Sequence, residues 1–159
     1  MSVEGRQIQW HTPFGPVIMQ STISDELHNI LLTRAEQLRD GTHPNKQINT
    51  KTNDYRSRLA GCLSEEYSYK GAFTKEEDDI VQKEFNFLAA HFTVTAHKAG
   101  KLKKDEIRQP HDLIMQKPVW VNFMKSGEWN PAHNHTGKIS CVTYLKVPKE
   151  IEEENKNAE

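Results

Sequence analysis

Apolar residues recur at helical intervals through residues 22–41. Leu27, Ile30, Leu31, Ala35 and Leu38 share one face between polar positions, which predicts an amphipathic helix suited to covering a sheet. Ser24 is placed to cap its start, Asp25 and Glu26 fall in its first turn, and Gly41 ends it. A second helical run begins at Thr74, where Thr74 and Glu77 have the spacing of a capping box. Val81, Phe85, Leu88, Ala89 and Phe92 mark its apolar face, and the run is expected to reach about His97. Between these helices, residues 42–69 are polar and turn-rich, predicting loops with a short extended piece around 59–63. After Gly100 a charged connector, KLKKDEIRQPHD, predicts a solvated loop, with a substrate-facing lid as the functional alternative.

The pattern changes at Pro118. Over residues 119–124, Val119, Val121 and Phe123 alternate with Trp120, Asn122 and Met124, as a half-buried strand requires. A turn signal, Lys125-Ser126-Gly127, follows. Residues 139–147 are rich in β-branched and aromatic side chains and stop at Pro148, which predicts another strand. Beyond it lies a polar tail of Glu, Lys and Asn. Helices followed by strands favour an α+β fold over alternating βαβ units. The 159 residues suit one domain, divided into a helical part over 22–98, a β part over 118–148 and the tail over 149–159.

Composition narrows the possible functions. Leu, Ile, Val and Phe make 34 of the 159 residues, enough for a core when net charge is near zero. The 21 Lys and Arg balance 22 Asp and Glu, so the basic excess of a general nucleic-acid binder is missing and no nucleic-acid partner is expected. No apolar run approaches a membrane span and the N-terminus lacks an apolar signal core, which predicts a soluble, cytoplasmic chain with no membrane partner. Cys62 and Cys141 lie far apart outside any CxxC pair and are expected to be buried thiols.

The chemistry concentrates in Trp129-Asn130-Pro131-Ala132-His133-Asn134-His135-Thr136-Gly137, within a chain rich in histidine. On an extended backbone His133 and His135 project to the same side, so both imidazoles can converge on one metal ion. Imidazole suits Fe, Zn, Cu and Ni, and an open coordination position would make the site catalytic. The letters HNH also occur in a nuclease motif, but that motif needs a following helix with another histidine, which is absent after His135. Gly127 followed by His133 and His135 matches the opening of the cupin motif, although Lys138, Ile139 and Ser140 stand where cupins usually place a Glu.

The run Trp120-Val121-Asn122-Phe123-Met124, then Gly127-Glu128-Trp129-Asn130-Pro131, His133-Asn134-His135, and Ile139-Ser140 with Val142-Thr143-Tyr144-Leu145 and Pro148, resembles the Fe(II)/2-oxoglutarate-dependent oxygenases. The similarity is to their prolyl-hydroxylase-like group of bacteria and phages, and it covers about 30 residues. It implies N-terminal helices packed on a double-stranded β-helix, or jelly roll, of which this chain holds an incomplete portion. It also implies a dioxygenase that uses iron, 2-oxoglutarate and molecular oxygen to hydroxylate an organic substrate, with a peptide or an amino acid among the candidates. His133 matches the first metal ligand, and His135 stands where the family usually has a carboxylate. Either His135 binds directly or the anion comes from elsewhere, with Glu128 a candidate. Tyr144 matches a tyrosine that binds the far carboxylate of 2-oxoglutarate; packing in the core is its alternative. Asn122 either faces the site cavity or satisfies nearby backbone groups, whereas Trp120 and Trp129 are expected to pack. The family places its distal His and a 2-oxoglutarate-binding Arg or Lys on strands well after the first motif, whereas only 24 residues follow His135, with no His or Arg among them. A truncated version is therefore expected, with catalytic competence left open. A cupin-like metal enzyme that does not use 2-oxoglutarate and a non-catalytic β-scaffold interaction protein remain the alternatives.

Overall fold

The computed structural model describes residues 2–3, 6–11, 17–58, 62–115, 119–131 and 137–157. Two long helices, α1 (Asp25–Asp40) and α2 (Lys75–Lys98), form its centre. Both start and stop where their local chemistry dictates. Ser24, in an extended conformation, accepts from the Leu27 amide, and Gly41 closes α1 in the left-handed region at φ 66°, which a side chain would disfavour. At α2 the reciprocal bonds of the capping box are both made: the Thr74 hydroxyl accepts from the Glu77 amide, and the Glu77 carboxylate accepts from the Thr74 amide.

Each helix start is also tied to the other helix. The Ser24 amide and hydroxyl donate to Glu84 Oε1 and Oε2 at 2.7 and 2.6 Å. Arg34 donates from Nε and Nη2 to the two oxygens of Glu77 at 3.0 and 2.9 Å, the paired geometry that makes guanidinium–carboxylate contacts strong. These crossed contacts set α1 antiparallel to α2. Leu27, Leu31, Ala35 and Leu38 of α1 bury themselves with Val81, Tyr69 and Ala72.

Three antiparallel strands, β1 (Ser2–Val3), β2 (Arg6–His11) and β3 (Ile18–Ser21), form an N-terminal meander in that spatial order. Ile8 is buried, and the Trp10 ring lies 6.2 and 6.1 Å from the rings of His91 and Phe92 on α2. A second, two-stranded sheet pairs β4 (Glu66–Ser68) with β5 (Trp120–Asn122), also antiparallel. Asp54 bridges the other side of β4 at Tyr67. Tyr67, Val119, Val121 and Phe123 pack against the α1 core. Tyr69 donates its buried hydroxyl to the Leu31 carbonyl, and the Arg39 guanidinium lies 4.9 Å from the centre of the Phe123 ring.

The fold is α+β, as the pattern predicts, with small antiparallel sheets; no double-stranded β-helix is formed among the described residues. Several expectations are corrected. Strands precede the helices, because the alternation of exposed Gln7, Gln9 and His11 with inward Ile8 and Trp10 is a strand signal of its own. β4 lies inside the expected loop region, and residues 59–61 of the expected extended piece fall outside the described residues. Residues 139–147 form no strand: no described segment ladders with them, and β-propensity without a partner leaves backbone groups to water. The polar tail is instead helix α3 (Lys149–Asn157) after Pro148, since Glu and Lys are good helix formers. Cys62 and Cys141 are exposed free thiols rather than buried ones, since both lie outside the packed helical core. The charged connector folds back along α2, where the Arg108 amide donates to Thr93 Oγ1 and Asn86 Nδ2 donates to the Leu113 carbonyl. Among the described residues no helix is long and apolar enough to cross a membrane.

Candidate functional site

The β4–β5 pair separates two environments. Tyr67 lies opposite Val121 on the face that meets α1, so Glu66, Ser68, Trp120 and Asn122 point to the opposite face. Glu66 and Asn122 face each other across the ladder. The Phe123 amide bonds to the Glu65 carbonyl, whereas the Glu66 carbonyl is used by Tyr55 on the other side. Glu66 and Asn122 therefore form a non-hydrogen-bonded pair, the kind that brings opposed side chains closest. Glu66 is only 1% exposed although it lies away from the helical core. Beside it Asn122 Oδ1 is sealed from solvent and receives no hydrogen bond, and so is Asn130 Oδ1. Trp120 is stacked on Tyr55 at 5.8 Å, which closes the far end of this face.

Beyond β5 the chain makes a tight excursion and returns. Gly127 adopts φ 80°, in open space, so backbone conformation rather than crowding favours glycine there. The Glu128 carboxylate is fixed within this turn: Oε1 accepts from the Ser64 amide and Oε2 from the Lys125 amide, both at 2.9 Å. These donors, Ser64 foremost, hold its carboxyl below the usual glutamate range. The Cys62 amide then donates to the Trp129 carbonyl at 3.0 Å, drawing the chain back beside the segment that leads into β4. His133 and His135 follow, outside the described residues.

The other expected site residues are distributed unevenly. Asn122 lies on the face away from the helices with its buried oxygen unsatisfied, so it does not serve the nearby backbone through that atom. Tyr144 is 80% exposed, which excludes the core-packing alternative. Trp120 packs as expected, but Trp129 is 57% exposed because its backbone alone is held by the Cys62 bridge. Glu128 is committed to two backbone amides, so ligation by it would cost both bonds. Among the other histidines, His28 bonds the Leu145 carbonyl, His97 the Leu102 carbonyl, and His43 both the Ala72 carbonyl and the Asn45 amide. No group of three His, Cys, Asp or Glu side chains placed to hold a metal occurs among the described residues.

No protein-family model, curated protein or solved structure matches this chain.

A cleft of about 430 Å³ lies elsewhere, lined by Arg34, His43, Asn45, Phe73 and Thr74. Its polar groups are already engaged, His43 by backbone on both ring nitrogens and Arg34 by Glu77 and Gln37. The face of Glu66 and Asn122 is chemically different. The unsatisfied Asn122 oxygen there calls for a hydrogen-bond donor. The burial of Glu66 is a feature that the sequence pattern missed. Its only signal is the alternation of Glu66 and Ser68 with Tyr67 and Tyr69, which puts a carboxylate on one face of a strand hidden in turn-rich text.

Proposed function

We propose that this chain carries the first metal motif of a non-haem Fe(II)- and 2-oxoglutarate-dependent dioxygenase that hydroxylates an organic substrate. Its β segment would belong to a double-stranded β-helix backed by α1 and α2. The observation that supports the reading is β5 itself. One face packs on the helices, the other presents Asn122 with an unsatisfied buried oxygen, and the chain then turns back into the segment bearing His133 and His135. In this reading the two imidazoles hold the metal, and Asn122 accepts a hydrogen bond from water or ligand at the site. The exposed Tyr144 hydroxyl donates to the far carboxylate of 2-oxoglutarate. Iron bound there would supply the centre at which oxygen is activated as 2-oxoglutarate is oxidatively decarboxylated.

Anaerobic titration of the chain with Fe(II), followed by 2-oxoglutarate, tests this. His133→Ala is expected to abolish iron binding while leaving the thermal midpoint nearly unchanged, and Tyr144→Phe to weaken 2-oxoglutarate binding alone. Iron binding without any 2-oxoglutarate binding at millimolar concentration would replace the reading by a cupin-like metal protein. A lowered midpoint with unchanged iron affinity in His133→Ala would reject the ligand assignment.

A further inference from the structure

We propose that His28 is the positioning residue for Tyr144, an inference that rests on the 2-oxoglutarate role given to that tyrosine above. Tyr144 is exposed, and no described segment ladders with the stretch around it, so strand pairing does not set the direction of its ring. Its neighbour is held instead. Nε2 of His28, on α1, is bonded to the Leu145 carbonyl at 2.9 Å, and the Leu145 side chain packs against the helical core. A carbonyl only accepts, so His28 Nε2 carries the proton. With Leu145 fastened inward, Tyr144 is left facing outward, as its exposure shows.

The His28 bond differs in kind from the other ties of this stretch to α1. Burial of the Leu145 side chain sets how deep the chain lies but leaves its peptide free to turn. The Lys146–Glu36 ion pair joins two long side chains, with Lys146 exposed, a type of contact that contributes little. A bond to the Leu145 carbonyl instead holds the peptide itself in one orientation, and with it the residue before. His28 is in turn well braced. Its amide donates to the Ser24 carbonyl in the first turn of α1, and Ser24 is tied to Glu84 of α2. One imidazole thus references Tyr144 to the rigid helical pair, the support that a binding side chain on an unpaired segment otherwise lacks.

Anaerobic titration of the iron-loaded full chain with 2-oxoglutarate tests the role, together with backbone amide relaxation measured by NMR before 2-oxoglutarate is added. His28→Ala is expected to weaken 2-oxoglutarate binding roughly three- to tenfold, the scale of one net hydrogen bond, to leave iron affinity unchanged, and to loosen the backbone from Val142 to Leu145. His28→Gln, whose amide can donate from nearly the same place, should restore both. In a Tyr144→Phe background the loss of His28 should weaken binding no further. Should the alanine variant fail to fold by circular dichroism, His28→Phe fills the space without a donor and takes its place. Wild-type 2-oxoglutarate affinity in a folded variant lacking the donor, with binding weakened in Tyr144→Phe, would overturn the role of His28 and leave that of Tyr144 standing. Equal weakening in His28→Gln would do the same, because the carbonyl bond would then not be the cause. A wild-type chain that binds no 2-oxoglutarate, or binding indifferent to Tyr144→Phe, would overturn both.

Discussion

The helical pair and the stretch over residues 137–147 contain similar apolar side chains but use them in opposite ways. In the helices Leu27, Leu38 and Val81 are completely buried, whereas Val142 is 77% and Tyr144 80% exposed. The difference lies in where the partners come from. A helix satisfies its own backbone and needs only one face covered, which α1 and α2 provide for each other. A strand has neither advantage alone, since its hydrogen bonds and its apolar face both depend on other segments. Leu145 and Lys146 of this stretch reach α1, through the His28 ring on the Leu145 carbonyl, the Leu145 side chain packed against the helical core, and the ion pair of Lys146 with Glu36.

The largest expected effect tests this contrast directly. Leu27→Ala should cost about 2–5 kcal/mol of stability by opening a cavity in the helical core, while Val142→Ala should stay within roughly 0.5 kcal/mol. Comparable losses in urea denaturation would show that residues 137–147 pack in solution as tightly as the helices, and the contrast would fail. A smaller effect is expected in the loop that braces β4. Asn53 is 3% exposed, and its amide donates to the carbonyls of Ser68 and Lys70 at 2.8 and 3.0 Å. Asn53→Ala should therefore cost about 1–3 kcal/mol, and its signature should be faster exchange of β4 amides than of α1 amides. Uniform loss of protection would place β4 in the same cooperative unit as the helices.

Much of the helical half was legible in the sequence because its determinants are local: Ser24 and Gly41 delimit α1, and Thr74 with Glu77 starts α2. The partnerships of Ser24 with Glu84 and of Arg34 with Glu77 were not legible, since they join positions 60 and 43 residues apart. Facing alternation was readable at β5, where Val119, Val121 and Phe123 meet the core as expected. The partner strand was not, because Glu66–Ser68 is only three residues long and polar at two of them. For the same reason the burial of Glu66 opposite Asn122 became visible only through strand register.

The smallest expected effect concerns acid. The Glu128 carboxyl is held below its usual range in the folded chain, so its contribution is complete above the unfolded glutamate pKa and is lost as pH falls through the lower folded value. An NMR titration should show the Ser64 and Lys125 amide signals moving together in that low window. Movement near an ordinary glutamate pKa would mean that the turn is open in solution. Because the residue is solvent-exposed, the global unfolding midpoint should change little through this group.

The crossed helix caps bear on how the chain finds its fold. Ser24 waits on a carboxylate from α2, and the carboxylate that caps α2 is also held by an arginine of α1. Either helix can nucleate alone through its own cap, but neither terminus acquires its full set of bonds until the intervening loop closes. Closing a loop of that length carries an entropic cost that grows only slowly with each added residue. Insertions between Gly41 and Thr74 should consequently be better tolerated during evolution than a change of register between the two helices, which would separate both ties at once.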